Sequence, residues 1–145
     1  INDELFQMPQ ESSYQRLARG PVTLPFEFSG NEILIKARVN NGPEAKFILD
    51  TGASQTVIDK ATAQSLGPTT VHTFSVTAGS KAVPLSYTTL NNLHLGELTL
   101  DNIATLITDL SSFGAAIGEK PAGLIGANVL KRFLLTIDFQ DKKIT

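Results

Sequence analysis

The sequence predicts a mostly β fold with one or two short helices. Most of the strands are indicated by the alternation of apolar and polar residues and by turn-forming residues between the strands. Apolar and polar residues alternate over residues 22–28 and again over residues 33–39, as expected for strands with one buried face. A turn-forming run, Asn-Asn-Gly-Pro, occupies residues 40–43, so the second strand should return as a hairpin into residues 47–49. Three consecutive apolar residues in that returning strand predict that it is covered on both faces.

The other elements follow from turn residues and periodicity. Hairpins are predicted around Ala78-Gly79-Ser80 and around Gly96-Glu97. Pro84 lacks a backbone donor and is expected at a sheet edge or hinge. The remaining predictions are a helix at residues 60–66 stopped by Gly67, a strand at 103–107, a loop at 109–122, a helix at 127–133 and a strand at 134–139.

Length and composition indicate one domain. The chain has 145 residues, 41% of them hydrophobic, and a net charge of −2, which suits a single core. No window of 18 apolar residues occurs, so no membrane span is predicted. The basic residues form only short pairs, so we expect no nucleic-acid partner. His72 and His94 stand alone, so no metal site is predicted.

The cellular compartment is unknown from the sequence. The chain has no cysteine, which excludes disulfides but leaves the redox compartment open. Because the chain starts at Ile1 rather than Met, we expect that an upstream segment was removed. A signal peptide or an anchor there would make this an extracytoplasmic or membrane-anchored domain.

One run carries more chemical information than the rest of the chain. In residues 47–54 an apolar strand ends in Asp50, Thr51 and Gly52, that is, in an acid, a hydroxyl and a glycine. Alone, this pattern also fits an Asp that caps its own turn after a strand. A second feature supports a functional role for the motif: in residues 123–130 an apolar pair is followed by a glycine at the head of a predicted helix.

These two segments resemble a known family. Residues 49–58, LDTGASQTVI, resemble the active-site segment of retroviral aspartic proteases, and residues 124–130, LIGANVL, resemble the segment of those enzymes that leads into their helix. Residues 127–145 are still more similar to cellular and bacterial retropepsin-like proteins. The resemblance covers residues 33–145 and implies a closed acid-protease barrel with a flap hairpin.

The resemblance assigns roles to individual residues. Asp50 would be the catalytic acid, and Thr51, Gly52, Ala53 and Gly126 would support the active-site loop. Thr51 would bond across a dimer axis, Gly52 would donate its N–H to the carboxylate, and a side chain at Gly126 would collide with the loop. Ala53 lacks the hydroxyl that other members place against the carboxylate, which predicts a mildly acidic pH optimum. An ordinary helix entry at Gly126 stays open.

Other implied roles are less specific. Thr77, Ala78, Gly79 and Ser80 would form the flap, a mobile hairpin that closes over substrate. An ordinary surface hairpin is the alternative. Asn128 matches an asparagine of the retroviral enzymes, with a structural role on the helix surface equally open.

The function that the resemblance implies is that of an aspartic endopeptidase. Its chemistry needs two facing carboxylates, but the chain has a single Asp-Thr-Gly, so a homodimer is predicted. The partner would be an extended peptide or protein substrate, with no metal or other cofactor. Two alternatives remain: a non-catalytic peptide-binding or dimerisation module, and one lobe of a larger two-lobed protease.

The sequence also departs from the retroviral pattern. Ala127 replaces an arginine that ties subunits together in those enzymes, and Ser54 and Gln55 replace acids, including the partner that the arginine would need. The retroviral mode of dimerisation is therefore in doubt. Residues 1–30 are an extension, predicted as an N-terminal arm (residues 1–20) and a first strand, ahead of the protease-like domain at residues 31–145.

Overall fold

The computed structural model describes residues 21–66 and 71–145. The predicted arm at residues 1–20 and the helix stop at Gly67 lie outside these residues, and the division at residues 30 and 31 stays a prediction. The strands are β1 (Leu24–Pro25), β2 (Glu27–Ser29), β3 (Glu32–Val39), β4 (Ala45–Leu49), β5 (Thr56–Asp59), β6 (His72–Ala78), β7 (Lys81–Leu95), β8 (Leu98–Thr108), β9 (Gly123–Ile125), β10 (Ile137–Asp138) and β11 (Lys143–Ile144). The helices are α1 (Lys60–Ser65), α2 (Gly114–Ile117) and α3 (Ala127–Leu130).

The large sheet has the strand order β2-β3-β4-β9-β5-β8-β7-β6. Most neighbours are antiparallel, but β4 runs parallel to β9 and β5 runs parallel to β8. β7 also pairs with β3, through Arg38 opposite His94 and Val39 opposite Leu93, so the pairings lead from β3 around the sheet and back to β3. A small sheet of order β1-β11-β10 lies beside it.

Two apolar clusters cover the two faces of the strand that leads to Asp50. Phe47 and Leu49 belong to the main core, whereas Ile48 belongs to a second cluster, because successive side chains point to opposite faces. All three are buried, as the apolar run predicts. The second cluster also contains Leu34, Val57, Leu110, Ile117 and Leu124.

The three predicted hairpins are present. β3 returns into β4, β6 pairs with β7 from Ala78 opposite Lys81, and β7 pairs with β8 from Leu95 opposite Leu98. Pro84 lies in β7 and pairs with Ser75 of β6 on one side. Its other side has no partner strand, since the pairing of β7 with β8 begins at Ser86, so Pro84 lies at a local sheet edge. No helix in the described part of the chain is long and apolar enough to cross a membrane.

Several predicted boundaries were wrong. The predicted strand at residues 22–28 is divided at Phe26, whose N–H donates to the carbonyl of Lys142, so β1 joins the small sheet and β2 the large one. The predicted loop at residues 109–122 contains a 3₁₀ turn, Ser111–Phe113, and α2. Helix α3 is shorter than predicted, and the predicted strand at 134–139 is reduced to Ile137–Asp138.

A buried carboxylate ties the segment after β8 to the start of α1. Asp59 is 2% exposed, and its oxygens accept from the N–H groups of Leu110 and Ala61, at 2.9 and 3.1 Å. The Lys120 ammonium lies 3.1 Å from the same carboxylate. Burial alone would raise the pKa of Asp59, but the Leu110 N–H, the Lys120 ammonium and the Ala61 N–H together hold that pKa below its ordinary value.

Asp59→Asn should lower the free energy of unfolding by about 2 kcal/mol at neutral pH, because it weakens three charge-assisted contacts. A depressed carboxyl pKa stabilises the fold above the ordinary value of 3.8 and loses that contribution as the pH falls through the folded value. The difference from wild type should therefore shrink in strong acid. Urea unfolding at a series of pH values measures it.

The exposed Asp141→Asn provides the control for the loss of one negative charge. A difference between Asp59→Asn and wild type that stays constant from neutral pH into strong acid would contradict the assignment.

Candidate active site

Asp50 follows directly after β4, at the end of a buried strand. Its backbone N–H donates to the carbonyl of Ile125 at 3.0 Å, so the pairing of β4 with β9 continues as far as Asp50. Asp50 is half-buried, and the next two residues, Thr51 and Gly52, are exposed. The strand thus carries the acid from the core to the surface within two residues.

The loop holds the Asp50 carboxylate by its own backbone. The Gly52 N–H donates to Oδ1 of Asp50 at 2.9 Å, and the Ala53 N–H donates to the Asp50 carbonyl at 3.3 Å. A Cβ at Gly52 would lie 3.3 Å from that same Oδ1, which is closer than side chains normally pack. The missing side chain therefore lets the backbone reach the carboxylate and fix its orientation.

Gly126 lies against the same loop from the other side. Its backbone is extended, with φ −102° and ψ −174°, so any residue could adopt the conformation. The space is the constraint: a Cβ would lie 2.3 Å from the carbonyl oxygen of Gln55 and 3.0 Å from that of Ala53. Directly after it, the N–H groups of Ala127 and Asn128 donate to the carbonyls of Ala53 and Ser54, at 2.7 and 3.2 Å.

Asn128 connects the loop to two strands. Its Oδ1 accepts from both the N–H and the hydroxyl of Thr56, each at 2.8 Å, and its Nδ2 donates to the carbonyl of Ala104 at 2.9 Å. The Thr56 hydroxyl also accepts from the Gly126 N–H at 3.2 Å. Asn128 is 8% exposed, so a role on the helix surface is ruled out and the structural role lies in the interior.

Thr56 was not singled out from the sequence, although a signal existed. It precedes the apolar pair Val57-Ile58 in β5 and is completely buried. A buried hydroxyl requires a hydrogen-bond partner, and in the structure Asn128 provides it. The 72 residues that separate Thr56 from Asn128 hide this relation until the chain is folded.

The other predicted site residues lie in a separate element. Ala78 ends β6, and Gly79 has φ +64° in the turn that leads into β7. Thr77, Gly79 and Ser80 are exposed at the tip of this hairpin. The bonds that hold the Asp50 loop come from β9 and α3. The structure thus brings Asp50, Thr51, Gly52, Ala53 and Gly126 together, whereas the role of residues 77–80 as a flap stays a prediction.

The surroundings of the two histidines offer no metal centre. His72 stacks on Tyr87, with ring centroids 5.1 Å apart, and His94 contacts the Thr99 hydroxyl at 3.1 Å. Across residues 21–66 and 71–145, no three His, Asp or Glu side chains are grouped closely enough to hold a metal ion.

Comparisons with known proteins identify the family of the chain and a protein of similar structure. Residues 35–129 match the family described as aspartyl protease, and the chain belongs to that family. The structure is similar to the crystal structure of a retropepsin-like aspartic protease from Rickettsia conorii, with 25% sequence identity and a TM-score of 0.57 over 91% of this chain and 90% of that one. No curated protein matches the chain. The retropepsin-like resemblance and the mostly β fold class are therefore confirmed.

Gly126→Ala should destabilise the protein by at least about 2 kcal/mol, because the added methyl group meets backbone atoms that cannot rotate away. Gly114→Ala is a matched control, since a Cβ there would have its nearest neighbour at 3.7 Å. Thermal and urea unfolding of both variants measures the difference. Equal stability of the two variants would show that the loop does not depend on this close contact.

Proposed function

We propose that this protein is an aspartic endopeptidase whose active unit is a homodimer, with one Asp50 from each copy at the catalytic centre. The observation that carries the proposal is the Asp50 loop itself. Its carboxylate is half-buried, oriented by the Gly52 N–H at 2.9 Å, and located at the end of a buried strand beside exposed backbone. Membership of the aspartyl protease family supports a protease-type activity.

The chemistry follows from two carboxylates that share one proton. At a separation of ~3 Å, as in aspartic proteases generally, two carboxylates cannot both be ionised. The ionised one takes a proton from water while the water oxygen attacks the peptide carbonyl carbon, and the protonated one gives its proton to the carbonyl oxygen. The C–N bond then breaks as the amine nitrogen receives a proton. No step requires a cofactor.

A two-fold axis supplies both acids from a single gene product, because an isologous contact places the same residue on each side. Thr51 is exposed next to Asp50, where its hydroxyl can meet the partner copy, as the family resemblance implies. Ala53 contributes no hydroxyl to the carboxylate, which keeps the expected pH optimum mildly acidic.

The surroundings of Asp50 favour apolar side chains in the substrate. Along β4, Leu49 faces the main core and Ile48 the second cluster, so the alternation directs Asp50 to the same side as Ile48. We expect aliphatic or aromatic substrate residues beside the scissile bond, because apolar pockets usually line such clefts. The exposed hairpin at Thr77–Ser80 would close over the substrate as a flap, and the peptide would bind in an extended conformation.

Two other functions predict different behaviour. A non-catalytic module on the same fold would bind peptides and cleave none, and one lobe of a larger protease would be an inactive monomer. The oriented carboxylate of Asp50 favours the catalytic hypothesis, because peptide binding alone does not need an acid at that point.

Asp50→Asn should abolish peptide cleavage, because an amide can neither take a proton from water nor deliver one to the carbonyl. The loss should reach at least about a thousandfold in kcat/KM. Digestion of a peptide library by wild type and variant, with and without pepstatin, measures it. Asp141→Asn is the matched control, as it changes an exposed Asp at the other end of the chain.

Cleavage that survives Asp50→Asn would end the assignment. Resistance to pepstatin alone would not, because retropepsin-like enzymes differ in their response to it. The variant should keep the fold of the wild type, which circular dichroism checks.

A further inference from the structure

Glu32 begins β3 at the end of the sheet where Asp50 lies. β3 and β4 are antiparallel and their pairing ends with Ile33 opposite Leu49, so Glu32 and Asp50 are each one position further along. The N–H of Asp50 still bonds to β9, so the chain keeps its extended path as far as this residue. Residues opposite each other in an antiparallel pair have Cβ atoms about 5 Å apart. The register therefore places a second acidic residue beside Asp50 in the same chain.

Glu32 and Asp50 also share one face of the sheet. Leu34 and Ile48 stand opposite each other, and both belong to the second apolar cluster. Side chains two positions apart on a strand point to the same face, so Glu32 lies on the face of Leu34 and Asp50 on the face of Ile48. The face that presents Asp50 to a substrate therefore presents Glu32 to it as well.

Glu32 has no cation as a partner in the described part of the chain. Its side chain is half-buried, and no lysine, arginine or histidine there forms an ion pair with it. The lysines of β3 and β4 pair with other acids: Lys36 lies 4.0 Å from Glu44, and Lys46 contacts two glutamates at 2.8 and 3.1 Å. A cation carried by the substrate would therefore find an acid that is not already paired.

The neighbour of Glu32 on the other side brings no positive charge. Ser29 stands opposite Glu32 on β2, and its hydroxyl donates to the carbonyl of Ile117 at 3.3 Å. Since that hydroxyl already has an acceptor, it does not serve the Glu32 carboxylate. Glu32 is thus flanked by a serine engaged elsewhere and by Asp50, which is itself an acid.

We propose that Glu32 determines substrate specificity by binding a Lys or Arg side chain within about three residues of the scissile bond. The inference rests on the proposed function, because it names the substrate class of the same site. Side chains on one face of an extended peptide are about 7 Å apart, so apolar residues beside the bond and a cation further along are compatible. In a homodimer each copy supplies one Glu32, so the preference should hold on both sides of the bond.

The test uses peptides with one apolar cleavage site that differ only in a single residue, which is Lys, norleucine or Glu, at each of the three positions on either side of the bond. At the best position, wild type should cleave the Lys peptide with a kcat/KM about tenfold above that of the uncharged norleucine peptide. Glu32→Gln should remove this preference, and Glu32→Lys should transfer it to the Glu peptide. Glu97→Lys is the matched control, since Glu97 is exposed in the turn between β7 and β8.

Cleavage without a preference for Lys, or with one that survives Glu32→Gln, would overturn the role of Glu32 and leave the proposed function standing. A chain that cleaves no peptide would refute the proposed function, and calorimetric binding of the same peptides to the Asp50→Asn chain then decides on Glu32 alone. Tighter binding of the Lys peptide that Glu32→Gln removes would keep its role, whereas equal binding or none would end it. Circular dichroism checks that each variant is folded.

Discussion

The candidate site depends on the close approach of two backbone segments, residues 53–55 and residues 126–128. A Cβ at Gly126 would lie 2.3 Å from the Gln55 carbonyl oxygen, so these segments can meet only through a glycine. Their contact allows two backbone hydrogen bonds, from Ala127 and Asn128 to the loop. The loop thereby acquires a fixed shape, and within that shape the Gly52 N–H reaches the Asp50 carboxylate.

Asp50 and Asp59 show how position decides what a carboxylate can do. Asp59 is buried and surrounded by two backbone donors and the Lys120 ammonium, so it stays ionised and serves as a structural tie. Asp50 is half-buried at the end of its strand and accepts from the Gly52 N–H. Asp50 follows β4 and Asp59 ends β5, and both strands pair with β9, yet of these two acids only Asp50 is partly exposed.

The sequence predicted those parts of the fold that local pattern controls. Alternation and turn residues indicated the β3–β4, β6–β7 and β7–β8 hairpins, because residues that pair across a short turn are close in sequence. It missed the division at Phe26, since the hydrogen bond to Lys142 that separates β1 from β2 spans nearly the whole chain. Short helices such as α3 are equally hard to delimit, because packing rather than propensity ends them.

At the site, the motif indicated Asp50 and Gly52, and the family resemblance indicated Gly126. Neither indicated Thr56, because its bond to Asn128 joins residues from opposite halves of the chain. The salt bridge between Asp59 and Lys120 was missed for the same reason. Pairing across such distances is fixed by the path of the whole sheet, which local pattern does not reveal.

The central claim is that two copies of Asp50 act together, and mixing wild-type chains with Asp50→Asn chains at constant total concentration tests it directly. After the subunits have exchanged, only pairs with two acids should hydrolyse peptide, so activity should fall as the square of the wild-type fraction. An equal mixture should keep about a quarter of the wild-type activity. Activity that falls in direct proportion to the wild-type fraction would show that one Asp50 suffices, and would contradict the account.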